Sequence, residues 1–378
     1  MNSKIWLSSP HMGGNEQRYI NEAFTENWIA PLGPNVNGFE EDLEKFLNKD
    51  VKVAALSAGT AAIHLALIEA GVQYGDEVIC QSMTFSASAN PIAYCGANPV
   101  FVDSEEETWN ICPKALREAI EDRILKGKKP KAIIVVHLYG MPAKMDEITA
   151  ISKEFGIDLI EDAAEALGST YRGQACGTFG RFGVLSFNGN KIITTSGGGA
   201  LVSHTKEDKD KIVFLSTQAR DNAPHYQHSH IGFNYRMSNI VAGIGRGQME
   251  VLKDRVEARR AMHDFYVEIF KDIDGVEVFS EPNSYFYSNH WLSAIIVNPD
   301  ITGKNREDLR FAFLEDNIES RPLWKPMHLQ PVFENTPYYG GTVSEKLFDN
   351  GLCLPSGSNL SDKDRERIAK VIHTFFEI

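Results

Sequence analysis

Short apolar runs alternate with helical segments in the first half of the chain, and this alternation restricts the fold more than any other feature. Between residues 38 and 204, β-branched runs at 51–56, 77–80, 100–103, 132–137, 157–160 and 183–187 are predicted as strands. Segments 61–70 and 143–155 are predicted as helices, the second with Pro142 at its start. Such alternation is typical of a mostly parallel sheet with crossover helices. The sequence therefore predicts an α/β fold.

The length of the chain and the pattern of its second half predict two domains. A chain of 378 residues exceeds the roughly 250–300 residues at which single cores stop growing. A long, charged, periodic segment at 239–269 is predicted as one helix that leaves the large domain. A strand at 291–297 and helices at 306–316 and 362–376 predict a smaller mixed α/β unit. We place the large domain, with an N-terminal arm, at residues 1–250 and the C-terminal domain at residues 251–378.

The composition is that of a soluble globular protein and argues against several classes of function. A net charge of −13 disfavours a nucleic-acid-binding protein, which would need clustered Lys and Arg. The chain contains no run of about 18 apolar residues, and residues 1–6 lack the apolar core of a signal peptide. Five scattered cysteines without CxxC spacing predict neither a disulfide framework nor a zinc site. We expect a cytoplasmic protein that binds no metal and no membrane.

Lys191 stands in a small, mostly uncharged segment that follows a predicted strand and leads into a run of three glycines. No carboxylate occurs in the ten residues on either side of it. An amine that has lost water in such a setting is suited to Schiff-base chemistry. The alternative for this segment alone is a solvated surface lysine, because most lysines are exposed.

Small residues follow the first predicted strand and lead directly into a helix. In the run Ser57-Ala58-Gly59-Thr60, unpaired backbone N–H groups and the Thr60 hydroxyl would meet at the positive end of the helix dipole, which favours an anion such as phosphate. An ordinary strand-to-helix turn with an N-cap residue is the alternative. No Gly-Lys-Ser/Thr follows, so the run is not a Walker loop.

Asp162 and Phe85 follow two other predicted strands. A carboxylate at the end of a strand suits the ring nitrogen of a pyridine cofactor, and the face of Phe85 could stack on a flat ring. Taken alone, Asp162 could be a helix cap and Phe85 a core residue. Because ligands bind at the carboxyl ends of parallel strands, these residues, the phosphate cradle and Lys191 are expected at one edge of the sheet. Together they indicate pyridoxal phosphate.

These residues resemble the DegT/DnrJ/EryC1/StrS family of nucleotide-sugar aminotransferases, which are fold-type I pyridoxal-phosphate enzymes. The resemblance extends over nearly the whole chain, from Trp28 and the segment 31–40 to Asn234 and the residues after it. It implies a large domain with a mostly parallel, seven-stranded sheet and a smaller C-terminal α/β domain. It also implies transfer of the amine of L-glutamate to a keto sugar on a nucleotide, for glycan biosynthesis.

The same resemblance implies a role for each site residue. Lys191 would carry the cofactor and shuttle the proton, Asp162 would pair with the ring nitrogen, and Phe85 would pack on the ring. The phosphate would be held by Gly59, Thr60 and Ser186. Glu165 stands where family members often have His or Gln near the phenolic oxygen, so we include it as a cofactor contact. Asn234 would reach the phosphate of the neighbouring subunit, which predicts a homodimer with shared active sites.

Segment 319–328 resembles the part of the family that lies near the nucleotide sugar, in the subgroup acting on 4-keto-6-deoxy derivatives of UDP-N-acetylglucosamine. Arg321 and Lys325 offer cations for a diphosphate, and His328 and Trp324 could shape the sugar pocket. We assign Trp28, Arg321, Lys325 and His328 to substrate binding. Without the resemblance, an edge strand followed by a loop with solvated charges would be the preferred interpretation.

Other functions on the same or a similar fold are less consistent with the sequence. A sugar dehydratase of this fold would have histidine in place of Lys191, and a lyase or desulfurase would need a cysteine in a mobile loop. A nicotinamide-dependent sugar oxidoreductase would show GxGxxG after the first strand, which residues 57–62 do not provide. A non-catalytic regulatory protein would not need both Lys191 and Asp162. Amination of a dTDP- or GDP-linked keto sugar stays an alternative substrate.

Overall fold

Helices and strands alternate along most of the chain in the computed structural model, which describes residues 2–47 and 50–377. The helices are α1 (Glu16–Thr25), α2 (Pro34–Leu47), α3 (Gly59–Glu69), α4 (Ser86–Tyr94), α5 (Pro113–Leu125), α6 (Met145–Phe155), α7 (Lys206–Ser216), α8 (Asn239–Met249), α9 (Leu252–Phe270), α10 (Pro299–Thr302), α11 (Arg306–Glu315), α12 (Val343–Asn350) and α13 (Asp362–Phe376).

The strands are fifteen in number in the same described residues. They are β1 (Lys52–Leu56), β2 (Glu77–Gln81), β3 (Asn98–Val102), β4 (Ala132–Val136), β5 (Asp158–Asp162), β6 (Thr170–Tyr171), β7 (Gln174–Ala175), β8 (Phe182–Ser186), β9 (Gly199–Ser203), β10 (Val276–Val278), β11 (Phe286–Tyr287), β12 (Ser293–Val297), β13 (Arg321–Pro322), β14 (Tyr338–Tyr339) and β15 (Gly351–Leu354). All six strands predicted in the first half are present, with ends shifted by at most two residues.

The large sheet has the strand order β1-β9-β8-β5-β4-β2-β3-β14. Strand β9 runs antiparallel to both of its neighbours, and every other pair in the sheet is parallel. The predicted α/β fold with a mostly parallel sheet is therefore confirmed. The two-residue strand β14, which comes from the C-terminal part of the chain, adds an eighth strand beside β3.

Helices cover both faces of this sheet, which explains why each of its five-residue strands is buried at four or five positions. On one face, Ile63 and Leu67 of α3 pack against the strands. On the other face, Leu116 of α5 and Ile148 of α6 belong to a second buried cluster. All strands of the sheet that run parallel present their carboxyl ends at one edge, and the loops of that edge form the site described below.

The C-terminal part contains an antiparallel sheet with the order β10-β12-β15-β13. Its core includes Ile295, Phe313, Leu354 and Ile368, contributed by β12, α11, β15 and α13. The predicted strand at 291–297 is β12, and the predicted helices at 306–316 and 362–376 are α11 and α13. We keep residue 250 as the proposed boundary between the domains.

The segment 239–269, predicted as one helix, is instead two helices, α8 and α9, separated at residues 250 and 251. The carboxylate of Glu250 accepts hydrogen bonds from Tyr19 Oη at 2.7 Å and from Arg18 Nη2 at 3.4 Å, so the end of α8 is held against α1. Helix α9 packs instead with Met262 and Tyr266 in the C-terminal core. Helix α8 packs against α1, whereas α9 packs in the C-terminal core. The break between them lets each helix turn its apolar face toward its own partner. In the described part of the chain, no helix is both long enough and apolar enough to span a membrane.

Candidate active site

A cleft of about 680 Å³ opens at the carboxyl edge of the large sheet. Residues that follow β1, β2, β5 and β8 line one side of it, and Trp324 and Cys353 from the C-terminal part line another. Leu7 and Ser8 from the N-terminal segment complete the wall. Of the predicted site residues, the cleft brings together Gly59, Thr60, Phe85, Asp162, Glu165, Ser186, Lys191 and Arg321.

The N-terminus of α3 forms the cradle predicted for an anion. The N-cap residue of α3 is Ala58, whose side chain makes no capping hydrogen bond, so the first N–H groups of the helix are available to a ligand. A Cβ at Gly59 would lie 3.1 Å from Ser186 Cβ, and a Cβ at Gly199 would lie 2.4 Å from the carbonyl carbon of Ala58. Glycine at both positions therefore lets β8 and β9 approach the helix closely and brings Ser186 beside the cradle.

Asp162 is the last residue of β5, and its carboxylate is held in one orientation. Oδ2 accepts a hydrogen bond from Ser88 Oγ at 2.6 Å, and Oδ1 accepts one from the Ala164 N–H at 3.1 Å. The Ser88 hydroxyl is also hydrogen-bonded to Thr84 Oγ1 at 2.7 Å. The side chain is buried and lines the cleft. A fixed carboxylate in this position suits a protonated ring nitrogen.

Lys191 lies in the loop between β8 and β9, with its side chain only 12% exposed. The expectation of an uncharged setting was wrong, because Nζ lies 3.1 Å from Oε1 of Glu165, a residue 26 positions earlier in the chain. Nζ also lies 4.2 Å from the ring centre of Trp291. The lysine is therefore placed between a carboxylate and an aromatic face, and both come from distant segments.

The carboxyl of Glu165 is buried, and burial raises its pKa from 4.5 to about 7 against the opposing charge of Lys191. Oε2 accepts a hydrogen bond from the Tyr139 N–H at 2.8 Å. A pKa near 7 means that this carboxyl is partly protonated at neutral pH.

The rim of the cleft is aromatic and carries one predicted cation. Phe85 is more than half exposed, and its ring centre lies 5.6 Å from that of Trp324. Arg321 lines the cleft, and its Nε and Nη2 donate to Oε1 of Glu319 at 3.0 and 2.8 Å. The charge of Arg321 is thus shared with a carboxylate that the sequence did not suggest.

Four predicted residues lie outside the cleft. Trp28 is 40% exposed, and Asn234 and Lys325 are also exposed. The ring of His328 is occupied elsewhere: Nδ1 lies 2.6 Å from Ser82 Oγ, and the ring stacks on Tyr338 with centres 3.8 Å apart. His328 therefore supports the loop after β2 from outside the cleft.

Several cleft residues were not predicted from the sequence, namely Ser8, Asn188, Asn190, Trp291 and Glu319. Trp291 begins the predicted strand 291–297, so a large aromatic residue at a strand end was a usable signal. Ser8 carried no signal, because it reaches the cleft only through the packing of the N-terminal segment. The described residues hold no group of three or more His, Cys, Asp or Glu side chains arranged for a metal.

The donor set of this cleft fits pyridoxal phosphate. A helix N-terminus without a capping side chain suits the phosphate, a fixed carboxylate suits the ring nitrogen, and a lysine whose side chain is only 12% exposed suits the aldehyde. The three groups come from the ends of β1 and β5 and from the loop after β8, and all of them line one cavity.

Comparisons with known proteins agree with this chemistry. The profile of the DegT/DnrJ/EryC1/StrS aminotransferase family matches residues 10–373. EpsN of Bacillus subtilis (strain 168), which is named as a proposed pyridoxal phosphate-dependent aminotransferase, is 51% identical over 100% of this chain and 97% of its own length. GDP-perosamine synthase of Escherichia coli O157:H7 is 36% identical over 98% of each chain.

The structural comparison gives the same result. The crystal structure of a DegT DnrJ EryC1 StrS aminotransferase from Brucella abortus is similar, with a TM-score of 0.89, 31% identity and coverage of 96% of each chain. The fold, the cleft and the match over nearly the whole sequence lead to one conclusion: this chain belongs to the DegT/DnrJ/EryC1/StrS aminotransferase family and is a pyridoxal phosphate-dependent nucleotide-sugar aminotransferase.

Proposed function

We propose that this enzyme moves the amine of L-glutamate to C4 of a UDP-linked 2-acetamido-2,6-dideoxy-4-keto-hexose, giving a 4-amino sugar for glycan biosynthesis. One observation carries the proposal: the Lys191 amine, the Asp162 carboxylate and the open N-terminus of α3 face one cavity, which continues to Arg321 at its rim. The cavity of about 680 Å³ is within the range of pockets that enclose small-molecule ligands.

In this proposal, residues at the carboxyl edge of the sheet bind the cofactor at its phosphate and at its ring nitrogen. Gly59, Thr60 and Ser186 bind the phosphate, and Asp162 keeps the ring nitrogen protonated. Phe85, which is exposed to the cleft, packs on the ring. When bound, pyridoxal phosphate supplies an electron sink for charge that develops on the substrate carbon.

Lys191 Nζ both carries the cofactor and moves the proton that the transfer requires. As a free amine it removes a proton from the carbon that bears the nitrogen, and as an ammonium it returns one. Glu165 Oε1, at 3.1 Å, is the group to which the ammonium donates. The near-neutral pKa of Glu165 supports this role, since the carboxyl exchanges a proton readily at neutral pH.

Arg321 is the cation we propose for the diphosphate, because it lines the cleft while Lys325 lies outside it. Glu319 orients the guanidinium through its two hydrogen bonds, which favours contact with one phosphate edge. Trp324, on the same wall, would face the sugar. We withdraw a direct substrate contact for His328, since both ring nitrogens and one ring face are already in contact with the protein.

We further propose a cytoplasmic homodimer in which Asn234 reaches the phosphate of the other subunit. Asn234 and Trp28 are exposed in the single chain, as this arrangement requires. Light scattering of the purified protein should give twice the mass of the chain. A protein that is monomeric and fully active would contradict the shared site.

A GDP-linked keto sugar is the second candidate substrate, because a 36% identical relative is named GDP-perosamine synthase. The deciding experiment incubates the enzyme, pyridoxal phosphate and L-glutamate with UDP-, dTDP- and GDP-linked 3-keto and 4-keto sugars. Products are identified by mass and NMR, and Lys191→Ala serves as the inactive control. We expect the UDP-linked 4-keto-6-deoxy sugar to be aminated with the highest kcat/KM. A higher kcat/KM with the GDP-linked sugar would overturn the UDP assignment.

A further inference from the structure

Arg259 on α9 is one of the most completely buried charged residues of the described chain, with only 1% of its surface exposed. Its contacts are neutral groups: Nη1 donates to the carbonyl oxygen of Trp291, and Nη2 donates to Ser8 Oγ at 2.8 Å. Burial, reinforced by the charge of Arg255, lowers the pKa of its guanidinium to about 9. A buried charge without a carboxylate is costly, so its position calls for an explanation in function or in packing.

The two partners of Arg259 converge on a single atom beside the cofactor lysine. Ser8 Oγ donates to the carbonyl oxygen of Asn190 at 2.6 Å, and Trp291 Nε1 donates to the same oxygen at 2.7 Å. Asn190 directly precedes Lys191 in the chain. The indole ring of Trp291 is also the aromatic face that lies 4.2 Å from Lys191 Nζ.

Ser8 and Trp291 each accept a hydrogen bond from Arg259 and donate one to Asn190. The Ser8 hydroxyl gives its proton to Asn190, so its oxygen accepts from Arg259. The backbone carbonyl of Trp291 accepts from Arg259 while its indole N–H donates to Asn190. The guanidinium therefore fixes two hydrogen-bonded bridges at once, one through Ser8 and one through Trp291. Both bridges end at the backbone carbonyl of Asn190, directly before Lys191.

We propose that Arg259 is a positioning residue for Lys191, acting from outside the cleft through Ser8 and Trp291. The guanidinium holds the peptide before Lys191 and the aromatic face beside its amine in a fixed relation to Glu165. This inference rests on the proposed role of Lys191 as the carrier of the cofactor. A shift of about 1 Å in a reacting group can lower a rate about 100-fold, so such support has a measurable effect.

The chain provides a matched control one helical turn earlier. Arg255 lies on the same side of α9 and is also buried, at 9% exposure. Its Nη2 donates to the carbonyl oxygens of His11 and Met12 at 3.4 and 3.0 Å. It makes no hydrogen bond to Ser8, Trp291 or Asn190 among the described residues. Replacing Arg255 tests the cost of losing a buried guanidinium from α9 without breaking the link to Lys191.

The experiment compares the holoenzymes of Arg259→Gln, Arg255→Gln, Ser8→Ala and Ser8→Thr. Ser8 is only half-buried, so Ser8→Ala breaks the bridge without opening a cavity in the core and keeps the test valid if Arg259→Gln does not fold. The first readout is the circular dichroism of the visible cofactor band, and the second is kcat and KM for L-glutamate. The third is the rate at which acetic anhydride acetylates Lys191 in cofactor-free protein, relative to exposed lysines, by mass spectrometry.

We expect Arg259→Gln and Ser8→Ala to lower kcat by about 10- to 100-fold with little change in KM, to alter the dichroism of the cofactor band, and to change the acetylation rate of Lys191. Arg255→Gln should leave all three close to wild type, and Ser8→Thr, which keeps the hydroxyl, should restore most of what Ser8→Ala loses. Equal effects of the two arginine variants, or an unchanged Lys191 acetylation rate in Ser8→Ala, would overturn the inference. If borohydride reduction of the wild-type holoenzyme does not attach the cofactor to Lys191, the proposed function fails separately.

Discussion

Replacing Glu165 by Gln tests the balance between burial and pairing beside the cofactor lysine. The carboxyl is 4% exposed, and burial raises its pKa from 4.5 to about 7. A carboxyl whose pKa is raised by folding contributes stability that is fully present below pH 4.5 and is lost as the pH rises through 7. At about 1.4 kcal/mol per pKa unit, this amounts to about 3–4 kcal/mol, most of which is lost between pH 5 and pH 8.

A glutamine at this position does not ionise, so the cofactor-free variant lacks this loss. Urea unfolding of both proteins at pH 5, 6, 7 and 8 should show the free energy of unfolding of Glu165→Gln rising by about 2–3 kcal/mol relative to wild type over this range. Loss of the contact with Lys191 shifts the variant's free energy of unfolding by the same amount at every pH, so it does not change the slope against pH. Glu277→Gln, on the exposed side of β10, is the control and should run parallel to wild type. Parallel curves for wild type and Glu165→Gln would refute the buried, proton-sharing carboxyl.

The remaining predictions concern the cofactor contacts. Lys191→Ala should show no turnover by amine-transfer assay and should release its cofactor on gel filtration, whereas wild type retains it. Asp162→Asn should lower kcat by about 100- to 1,000-fold in the same assay, because the amide cannot neutralise the protonated ring nitrogen, and a change under tenfold would contradict that role. Gly199→Ala would bring a Cβ within 2.4 Å of Ala58, so we expect a loss of about 1–3 kcal/mol by thermal unfolding and weaker cofactor binding in fluorescence titration. Unchanged affinity and stability would show that the cradle does not depend on this close approach.

The strands of the large sheet were predictable because each carries its own signal. A strand buried on both faces needs a run of apolar residues, and β4 shows this in five consecutive residues and β2 in the three residues 78–80. Strand β9 was missed because it begins at Gly199 and reads as the end of a glycine-rich loop. Its antiparallel place between β1 and β8 depends on partners more than 100 residues apart in one case, and no local pattern encodes that.

The candidate site also contains residues that local patterns predicted and contacts that they did not. Gly59, Asp162 and Lys191 each follow a predicted strand, and the parallel arrangement of those strands was enough to expect them at one edge. Glu165 was placed near the cofactor only through the family resemblance, and its contact with Lys191 was not foreseen. The break between α8 and α9 was also missed. The helical periodicity continues through the segment, and it carries no sign that the two halves pack against different partners.

The sequence by itself determined the α/β class, the order of the strands along the chain and the residue types that can hold pyridoxal phosphate. These features rest on periodicity, turn residues and short motifs, which act over a few positions. Tertiary structure alone decided that Lys191 lies between Glu165 and Trp291, and that Ser8 and Arg259 support the same loop. Those contacts join segments 26 to 251 residues apart, and only the packing of the whole chain brings them within hydrogen-bonding distance.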